Sequence, residues 1–445
     1  MLANTPIWPV PGGQTDLGIA FAGHLTAHRR NPDLALGVPE FEWLDALRDR
    51  AQRTGDPHLT ALTVAMLGLL ANPLAHSDFK ADFMTAYEEA RRHAYPLTRA
   101  LIDERHRLLG LSRDYTLDCI DSGQVRLIED EAAADPSLKE FVRDMRTKLA
   151  SNKLARREVL RQVFDVYGEA LVCRLLRERV GSRLRIAKIQ ETSDPGPDFA
   201  CELDVDRHGR PETLRFYLEV KSLDIVAAPQ RLPEMMDEAL AVQVELERQV
   251  NAGKRVAMAE GEVAPHRPFG ASPDYDPRST RQAVENIVGK AASNFKNAQF
   301  RRGPTFALAN LLRLPIPGQG VGTLTRAYDD PMFGPNLSGA LWHVAFGRVG
   351  QRIVRPEDFP GAGGDDGELR RAGLLADPAL ALGTPGLIVL HWDHGYRFDG
   401  FLDPAWTDGA SWGAQDTEEV IRSLCGDYND AADSRAAHYA TYRPR

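Results

Sequence analysis

The sequence predicts an α/β protein in three parts. From residue 41 to residue 180, apolar residues recur at three- and four-residue steps, the period of amphipathic helices. Beyond residue 181, apolar and polar residues alternate in three short segments, the period of half-buried strands. A stretch rich in Pro and Gly follows residue 315. We therefore expect a helical N-terminal region (1–150), a central domain (151–315) and a C-terminal accessory α/β region (316–445).

Length and composition restrict the class of protein. A chain of 445 residues exceeds what one compact core usually holds, so two or three domains are expected. The apolar fraction of 43% and the charged fraction of 26% exclude disordered, fibrous and membrane classes. The net charge of -9 argues against a protein that coats nucleic acid over its whole surface. Four isolated cysteines, with no signal-peptide pattern and no long apolar run, indicate a cytoplasmic protein.

The periodic segments predict individual elements. The helical pattern is clearest at residues 59–70, 83–93, 95–109, 233–250 and 279–300. The last of these helices has Ser279 or Thr280 as its N-cap. The strand pattern appears at residues 184–189, 199–205, 214–220, 305–312, 340–346 and 386–391. Segments 260–277 and 361–367 are predicted as loops, 315–322 as a linker and 391–395 as a hairpin turn.

Two neighbouring predicted strands carry the most informative charged residues. In segment 214–221, strand alternation places Glu219 and Lys221 on one face and the apolar residues on the other. Segment 207–212 joins this strand to the preceding one. It contains Gly209 and is typical of a hairpin turn. A carboxylate and an ammonium group therefore project side by side from one strand of a hairpin.

The apolar pattern also predicts the register of this hairpin. With the turn centred on residues 209–210, the apolar residues of the two strands pair with one another, beginning with Phe199 opposite Val220. A slip of one residue would set each of them against a polar partner. Asp198 is then expected opposite Lys221 and diagonal to the carboxylate two residues earlier, about 7–8 Å away.

Two carboxylates beside a lysine suit a hard divalent cation. Mg²⁺ takes one or two carboxylates and keeps its other positions for water and phosphate oxygens, and Mn²⁺ can substitute for it. Such a metal lowers the pKa of a bound water and neutralises charge on a phosphate. The lysine would orient that water or stabilise the developing negative charge. The pattern therefore indicates metal-assisted phosphodiester hydrolysis, with Asp198 and Glu219 as metal ligands and Lys221 as a catalytic residue.

The runs Pro197-Asp198 and Glu219-Val220-Lys221 resemble the motifs of the PD-(D/E)xK nuclease superfamily, which has the restriction-endonuclease-like fold. The resemblance covers about residues 154–314. It implies a metal-dependent nuclease with a mixed sheet flanked by helices, acting on DNA rather than RNA. In this family the Asp and the Glu bind the metal and the Lys assists the attacking water.

The resemblance extends to a helix before the first strand, where many members carry a Glu. Glu169 lies on such a predicted helix among apolar neighbours, where an unpartnered carboxylate would be costly, so we expect it at the catalytic site. The long insertion between Lys221 and the helix at Ser279 departs from the family. Which downstream polar residue belongs to the site is therefore open, and Lys290 and Gln299 are candidate substrate-contacting residues.

Basic residues gather around the predicted catalytic strands. They strongly outnumber acidic residues in segments 142–161, 174–188 and 278–302. Three such segments beside one acidic cluster fit a track for a phosphate backbone. A second copy of the chain or a partner protein could bind through the flanking regions. A role in restriction or defence is a further hypothesis.

Several alternatives stay open. Glu219 and Lys221 could be an exposed ion pair on a sheet face, and the chain could be a non-catalytic nucleic-acid-binding or assembly protein. Arg99 and His106 resemble the spacing of the HEPN ribonuclease family, which would place a ribonuclease site in the N-terminal helices. The second-tier acidic candidates are Glu191 and Glu202.

Overall fold

The computed structural model describes most of the chain and divides it into two compact units. The described residues are 16–34, 36–107, 115–117, 119–190, 195–223, 232–254, 256–258, 279–314, 323–330, 334–355, 364–378, 380, 382–403, 406 and 412–432. One unit comprises residues 1–104 and 125–133, and the other comprises 105–124 and 134–445. The structure is α/β and contains a mixed seven-stranded sheet. None of the described helices is both long and apolar enough to cross a membrane.

The first unit is helical in its described part, as predicted. Its helices are α1 (Asp16–Arg30), α2 (Val38–Thr54), α3 (Pro57–Ala71), α4 (Phe79–Ala94), α5 (Pro96–Arg107) and α6 (Ser122–Glu131), of which α5 and α6 continue into the second unit. Asp56 caps α3, since its side chain accepts from the Leu59 backbone N–H at 3.0 Å. The buried carboxylate of Glu129 accepts from the backbone N–H groups of Leu97 and Thr98 at the start of α5.

The second unit contains the sheet. Its helices are α7 (Pro136–Leu149), α8 (Arg156–Val180), α9 (Leu232–Asn251), α10 (Thr280–Asn294), α11 (Ala340–Phe346) and α12 (Ala414–Leu424). Its strands are β1 (Leu184–Lys188), β2 (Phe199–Arg207), β3 (Arg210–Ser222), β4 (Thr305–Asn310), β5 (Tyr328–Asp330), β6 (Gly334–Leu337), β7 (Arg352–Arg355), β8 (Gly364–Glu368), β9 (Gly386–Trp392), β10 (Tyr396–Leu402) and β11 (Asp427–Asn429).

The large sheet combines strands from the central and C-terminal parts of the sequence. Its order is β1-β2-β3-β4-β9-β10-β11, and β5 to β8 form a separate four-stranded sheet. The strands β3, β4 and β9 are parallel neighbours, whereas β1, β2 and β3 form an antiparallel meander. Every residue of β4 is buried, so its second edge needs a hydrogen-bonding partner, which β9 supplies. The domain boundary predicted at residue 315 therefore does not separate two sheets.

The hairpin of β2 and β3 forms, but its predicted register is wrong by two residues. Phe199 lies opposite Leu218, not Val220. The turn consists of His208 and Gly209 alone, which have φ values of 55° and 76°. Positive φ at both positions gives a tight two-residue turn matched to the twist of the strands. The apolar pairing rule missed this because a shift by two residues keeps every side chain on its own face.

Two further elements differ from the sequence-based expectation. Segment 340–346 was expected as a strand but is helix α11, whose seven residues are all buried. A short run that is apolar on all sides carries no period that separates helix from strand. The described part of the expected loop 361–367 belongs to strand β8. Its acidic side chains form ion pairs with β7, Asp365 with Arg352 and Asp366 with Arg355.

The other five predicted strands form. Strands form at 184–188, 199–207, 210–222, 305–310 and 386–392, and the turn between β9 and β10 lies at residues 393–395. Ser279 caps α10, since its hydroxyl accepts from the Gln282 N–H. This helix ends at Asn294, and a 3-10 helix, Asn297–Phe300, follows it. The expected loop 260–277, the linker 315–322 and Glu191 lie outside the described residues.

Candidate active site

Strand β3 and the residue before β2 bring three predicted site residues together. Glu219 and Lys221 extend from one face of β3, and the Lys221 ammonium contacts Glu219 Oε1. Lys221 Nζ also lies 3.8 Å from Asp198 Oδ2. The same oxygen of Asp198 accepts a 2.7 Å hydrogen bond from the Val220 backbone N–H, which holds the carboxylate against β3. Extension of the observed register places Asp198 beside Glu219, where Lys221 had been expected.

Glu219 is the most constrained residue of the cluster. Its side chain is 0% exposed, and Gln299 Nε2 donates to its Oε1. Its Oε2 has no hydrogen-bond partner in the described part of the chain. Burial, followed by the charge of Asp198, raises the pKa of Glu219 to about 7. A buried, unpartnered carboxylate oxygen is costly to the fold, which favours a functional reason for its presence.

Lys221 keeps its charge despite its surroundings. Burial acts to lower the pKa of Lys221, but the negative charges of Asp198 and Glu219 outweigh it and raise that pKa above its usual value. The ammonium is therefore positively charged at neutral pH. It lies where it can stabilise an anion or orient a water beside the two carboxylates.

Glu169 on α8 belongs to the same electrostatic cluster. Burial, and then the charge of Asp198, raises the pKa of Glu169 to about 8. Lys188 opposes this shift, with its Nζ 3.8 Å from Glu169 Oε2. Asp165 lies one helical turn earlier, and its charge also acts on Glu169. Asp165 was not among the residues predicted for the site, although its four-residue spacing from Glu169 on a predicted helix was a usable signal.

A glycine brings α8 close to the sheet. A Cβ atom at Gly168 would lie 2.6 Å from both Asn310 Nδ2 and Ser222 Oγ, at the carboxyl ends of β4 and β3. Asn310 is fully buried, and its Nδ2 lies 3.3 Å from Ser222 Oγ in a hydrogen bond. Helix α8 can therefore approach these strand ends only because residue 168 has no side chain. Glu169, the next residue, is positioned by this contact.

The substitution Gly168→Ala is expected to destabilise the second unit and to weaken any activity of the cluster. The added methyl group must displace α8 or the Asn310 and Ser222 side chains, and overpacking of this kind costs about 1–3 kcal/mol. Thermal unfolding followed by circular dichroism measures the loss. Gly68→Ala is the control, because Gly68 is exposed on helix α3 and a Cβ there meets no atom within 4 Å. This substitution should raise the free energy of unfolding by up to about 1 kcal/mol. Equal effects of the two substitutions would contradict the close contact.

The two downstream candidates behave differently. Gln299 lies in the 3-10 helix after α10 and donates to Glu219, while its own Oε1 accepts from the Lys296 backbone N–H at 2.7 Å. Lys290 is exposed on α10. Among the described residues, no contact joins its side chain to Asp198, Glu219 or Lys221. Gln299 is thus placed at the cluster, whereas substrate contact by Lys290 stays a prediction.

Two of the alternative candidate residues form ion pairs with residues outside the cluster of Asp198, Glu219 and Lys221. Glu202 accepts from Arg185 and Arg215 at 3.0 and 3.1 Å in an exposed ion-pair group. Arg99 pairs with the carboxylates of Glu88 and Asp103 on the N-terminal helices. The side chain of His106, its expected partner in a ribonuclease site, lies outside the described residues.

Several basic residues of the segments expected to bind a phosphate backbone form hydrogen bonds and ion pairs within the protein instead. Arg177 donates to the Ile186 carbonyl and pairs with Asp135. Arg179 donates to the Cys425 carbonyl, and Arg281 donates to the Asp366 carbonyl. These guanidinium groups are engaged within the protein, so fewer cations remain for a substrate than the sequence suggested.

These side chains fit a hard divalent cation that takes one or two carboxylate ligands and fills most of its coordination shell with water molecules. Asp198 and Glu219 supply carboxylate oxygens, and Glu219 Oε2 has no other described partner. Within the described ranges, no group of three or more His, Cys, Asp or Glu side chains is arranged to hold a metal ion. Mg²⁺ commonly binds through one or two carboxylates, with water and phosphate oxygens completing its shell.

Comparison with known proteins identified no relative of the chain. No family model matches the chain, and neither a curated protein nor a solved structure shows significant similarity to it.

Proposed function

We propose that the chain is a metal-dependent nuclease with a restriction-endonuclease-like central fold, and that it hydrolyses phosphodiester bonds of DNA. The observation that carries this proposal is the environment of Glu219. Its carboxylate is fully buried, one of its oxygens lacks a described partner, and Lys221 and Gln299 contact the other. Asp198 stands beside this group. A fold tolerates such a group when its charge serves binding or catalysis.

The fold around the cluster supports the same proposal. Strand β3 of the antiparallel hairpin also pairs with the parallel strand β4, and α8 brings Glu169 into the electrostatic range of Asp198 and Lys221. A mixed sheet flanked by helices is the arrangement implied by the resemblance to the PD-(D/E)xK superfamily. A cytoplasmic location and a role in restriction or defence complete the proposal.

Each side chain of the cluster has a separate role in the proposed hydrolysis. Asp198 and Glu219 would hold Mg²⁺, or Mn²⁺ in its place, which when bound supplies positive charge and an acidified water. Gln299 restrains the Glu219 carboxylate through its hydrogen bond. The Lys221 ammonium stabilises negative charge on the phosphate or orients the attacking water. Glu169, whose pKa is raised to about 8, retains a proton at neutral pH and can donate a hydrogen bond to an anionic substrate.

The test is a cleavage assay with and without Mg²⁺. Supercoiled plasmid, linear duplex DNA, single-stranded DNA and RNA are incubated with the full chain in Mg²⁺ or in EDTA. We expect cleavage of DNA in Mg²⁺ and none in EDTA. Cleavage of RNA that survives Glu219→Ala and fails with His106→Ala would instead identify a ribonuclease site in the N-terminal helices.

A second candidate function is a non-catalytic nucleic-acid-binding or assembly protein on the same fold. The observation that favours it is the contact between the Lys221 ammonium and the Glu219 carboxylate, since such a pair can also serve as a structural ion pair. Binding without cleavage of every substrate in the same assay would support this candidate.

A further inference from the structure

An exposed arginine lies over an aromatic ring on the strand of the candidate active site. The guanidinium carbon of Arg302 is 5.5 Å from the centroid of the Tyr217 ring, within the range of a cation–π contact. Tyr217 is half-buried and Arg302 is exposed. The guanidinium is therefore supported on one side by the ring, while its edge is open to solvent.

The backbone holds this pair in place. The Tyr217 N–H donates to the Pro304 carbonyl at 2.8 Å, which ties the segment after the 3-10 helix to β3. Gly303 has a φ of 143°, and a Cβ there would lie 3.4 Å from the Tyr217 ring. The backbone at residue 303 can lie close to the ring because glycine has no side chain. Arg302 is thus presented from a tightly connected segment and not from a long free loop.

The pair adjoins the carboxylate cluster on two sides. Tyr217 and Glu219 are two residues apart on the same face of β3, a separation of about 7 Å along the strand. Gln299, which contacts Glu219, lies three residues before Arg302. A substrate phosphate held at the cluster would therefore have the neighbouring part of its strand close to Arg302.

Arg302 differs from the basic residues that are engaged within the fold. Among the described residues, no carboxylate lies within ion-pair distance of Arg302 or of its neighbour Arg301, which is also exposed. The planar guanidinium suits a phosphate, because it can donate two parallel hydrogen bonds to two oxygens. Stacking on Tyr217 reduces the conformational freedom that Arg302 would lose on binding, whereas no aromatic ring in the described part of the chain supports Arg301 in this way.

We propose that Arg302, positioned by Tyr217, binds the phosphodiester backbone of a nucleic acid next to the carboxylate cluster. The inference rests on the proposed function in that the ligand is a nucleic acid. It concerns binding and does not require that the chain cleaves its ligand. Arg302 is the substrate-contacting residue, and Tyr217 is a positioning residue that acts through it.

The test compares adjacent arginines by the salt dependence of binding. Fluorescence anisotropy with a short labelled DNA duplex and its single strand, in EDTA over a range of KCl concentrations, gives the slope of log Kd against log [KCl]. Loss of one phosphate contact should reduce this slope by about 0.9 for the duplex and about 0.7 for the single strand. We expect that reduction for Arg302→Ala, with binding weakened roughly tenfold at low salt. Arg301→Ala, which removes the same charge, should leave the slope near that of the wild type.

Variants of the ring test the positioning role. Tyr217→Phe keeps the aromatic face and should bind with the wild-type slope, whereas Tyr217→Leu should resemble Arg302→Ala. Equal effects of Arg301→Ala and Arg302→Ala, or no effect of either, would overturn the proposal. Thermal unfolding of each variant verifies that the fold persists.

Cleavage in Mg²⁺, measured in parallel, separates this proposal from the nuclease assignment. A chain that binds with the expected slopes but does not cut contradicts the nuclease and supports Arg302. If the chain cuts but Arg302→Ala keeps the wild-type slope, the nuclease assignment is supported and the proposal for Arg302 is contradicted. A chain that binds neither the duplex nor the single strand contradicts the proposal for Arg302, and it contradicts the nuclease assignment as well if it also fails to cut in Mg²⁺.

Discussion

Replacement of Asp198 or Lys221 by alanine is expected to abolish Mg²⁺-dependent cleavage while the chain still folds. Asp198 is a proposed metal ligand, and Lys221 carries the positive charge between the two carboxylates. Loss of one group that stabilises transition-state charge or transfers a proton typically costs about 10²–10⁴ in rate. Initial rates of plasmid nicking in Mg²⁺ measure the effect.

Matched variants separate catalysis from folding. Asp198→Ala leaves the Val220 N–H without its acceptor, so Asp198→Asn, which keeps an acceptor oxygen, tests the loss of charge alone. Glu202→Ala is the control for an acidic residue on the adjacent strand β2, because its exposed carboxylate pairs only with surface arginines in the described structure. We expect Glu202→Ala to cut at the wild-type rate. Undiminished cutting by either the Asp198 or the Lys221 variant would refute the mechanism.

The substitution Glu219→Gln should abolish cleavage and yet stabilise the fold at alkaline pH. The wild-type carboxylate is fully buried and its ionised form is disfavoured, so its pKa rises from 4.5 to about 7. An amide of the same shape keeps an acceptor for Gln299 and carries no charge. The gain in free energy of unfolding is on the order of a few kcal/mol, since one pKa unit corresponds to about 1.4 kcal/mol.

The direction of the pKa shift of Glu219 determines the pH range over which the wild type loses stability. A carboxylate with a raised pKa in the folded state binds its proton more tightly there than in the unfolded state. Its contribution to stability is fully present below pH 4.5, the unfolded value, and is lost as the pH rises through about 7. Glu169, with its pKa raised to about 8, contributes in the same direction. The wild type should therefore lose stability relative to Glu219→Gln between these limits.

Thermal unfolding in EDTA at a series of pH values measures the difference. The two proteins should have similar midpoints near pH 4.5, and Glu219→Gln should unfold at the higher temperature at pH 8. Glu202→Gln is the control at an exposed site and should show no such gain at alkaline pH. Mg²⁺ should raise the midpoint of the wild type, through preferential binding to the folded state, but not that of Glu219→Gln. A stability difference that does not change with pH would contradict the assigned cause.

Local sequence patterns were sufficient for the residues that share the site. Strand alternation places Glu219 and Lys221 on one face of β3 whatever the register, because any even shift preserves the face of every side chain. The same pattern placed Asp198 at the start of the partner strand, and the N-cap at Ser279 needed only the residues around it. These features depend on a few neighbouring residues, so the sequence alone determines them.

Other features depend on contacts between distant segments. The hairpin register follows from positive φ at His208, which the sequence did not indicate. At Gly168, α8 comes close to Asn310, which is 142 positions later in the chain but adjacent in the fold. The contact of Gln299 with Glu219 depends on how the chain leaves α10.

The α/β class and the charged residues on one strand face could thus be predicted from the sequence, because side-chain alternation and helical period are local properties. The strands that complete the sheet depend instead on long-range contacts, since β4 is buried and its second edge needs the hydrogen bonds that β9 supplies. The burial of Glu219, whose Oε2 has no hydrogen-bond partner among the described residues, depends in the same way on everything that packs around it.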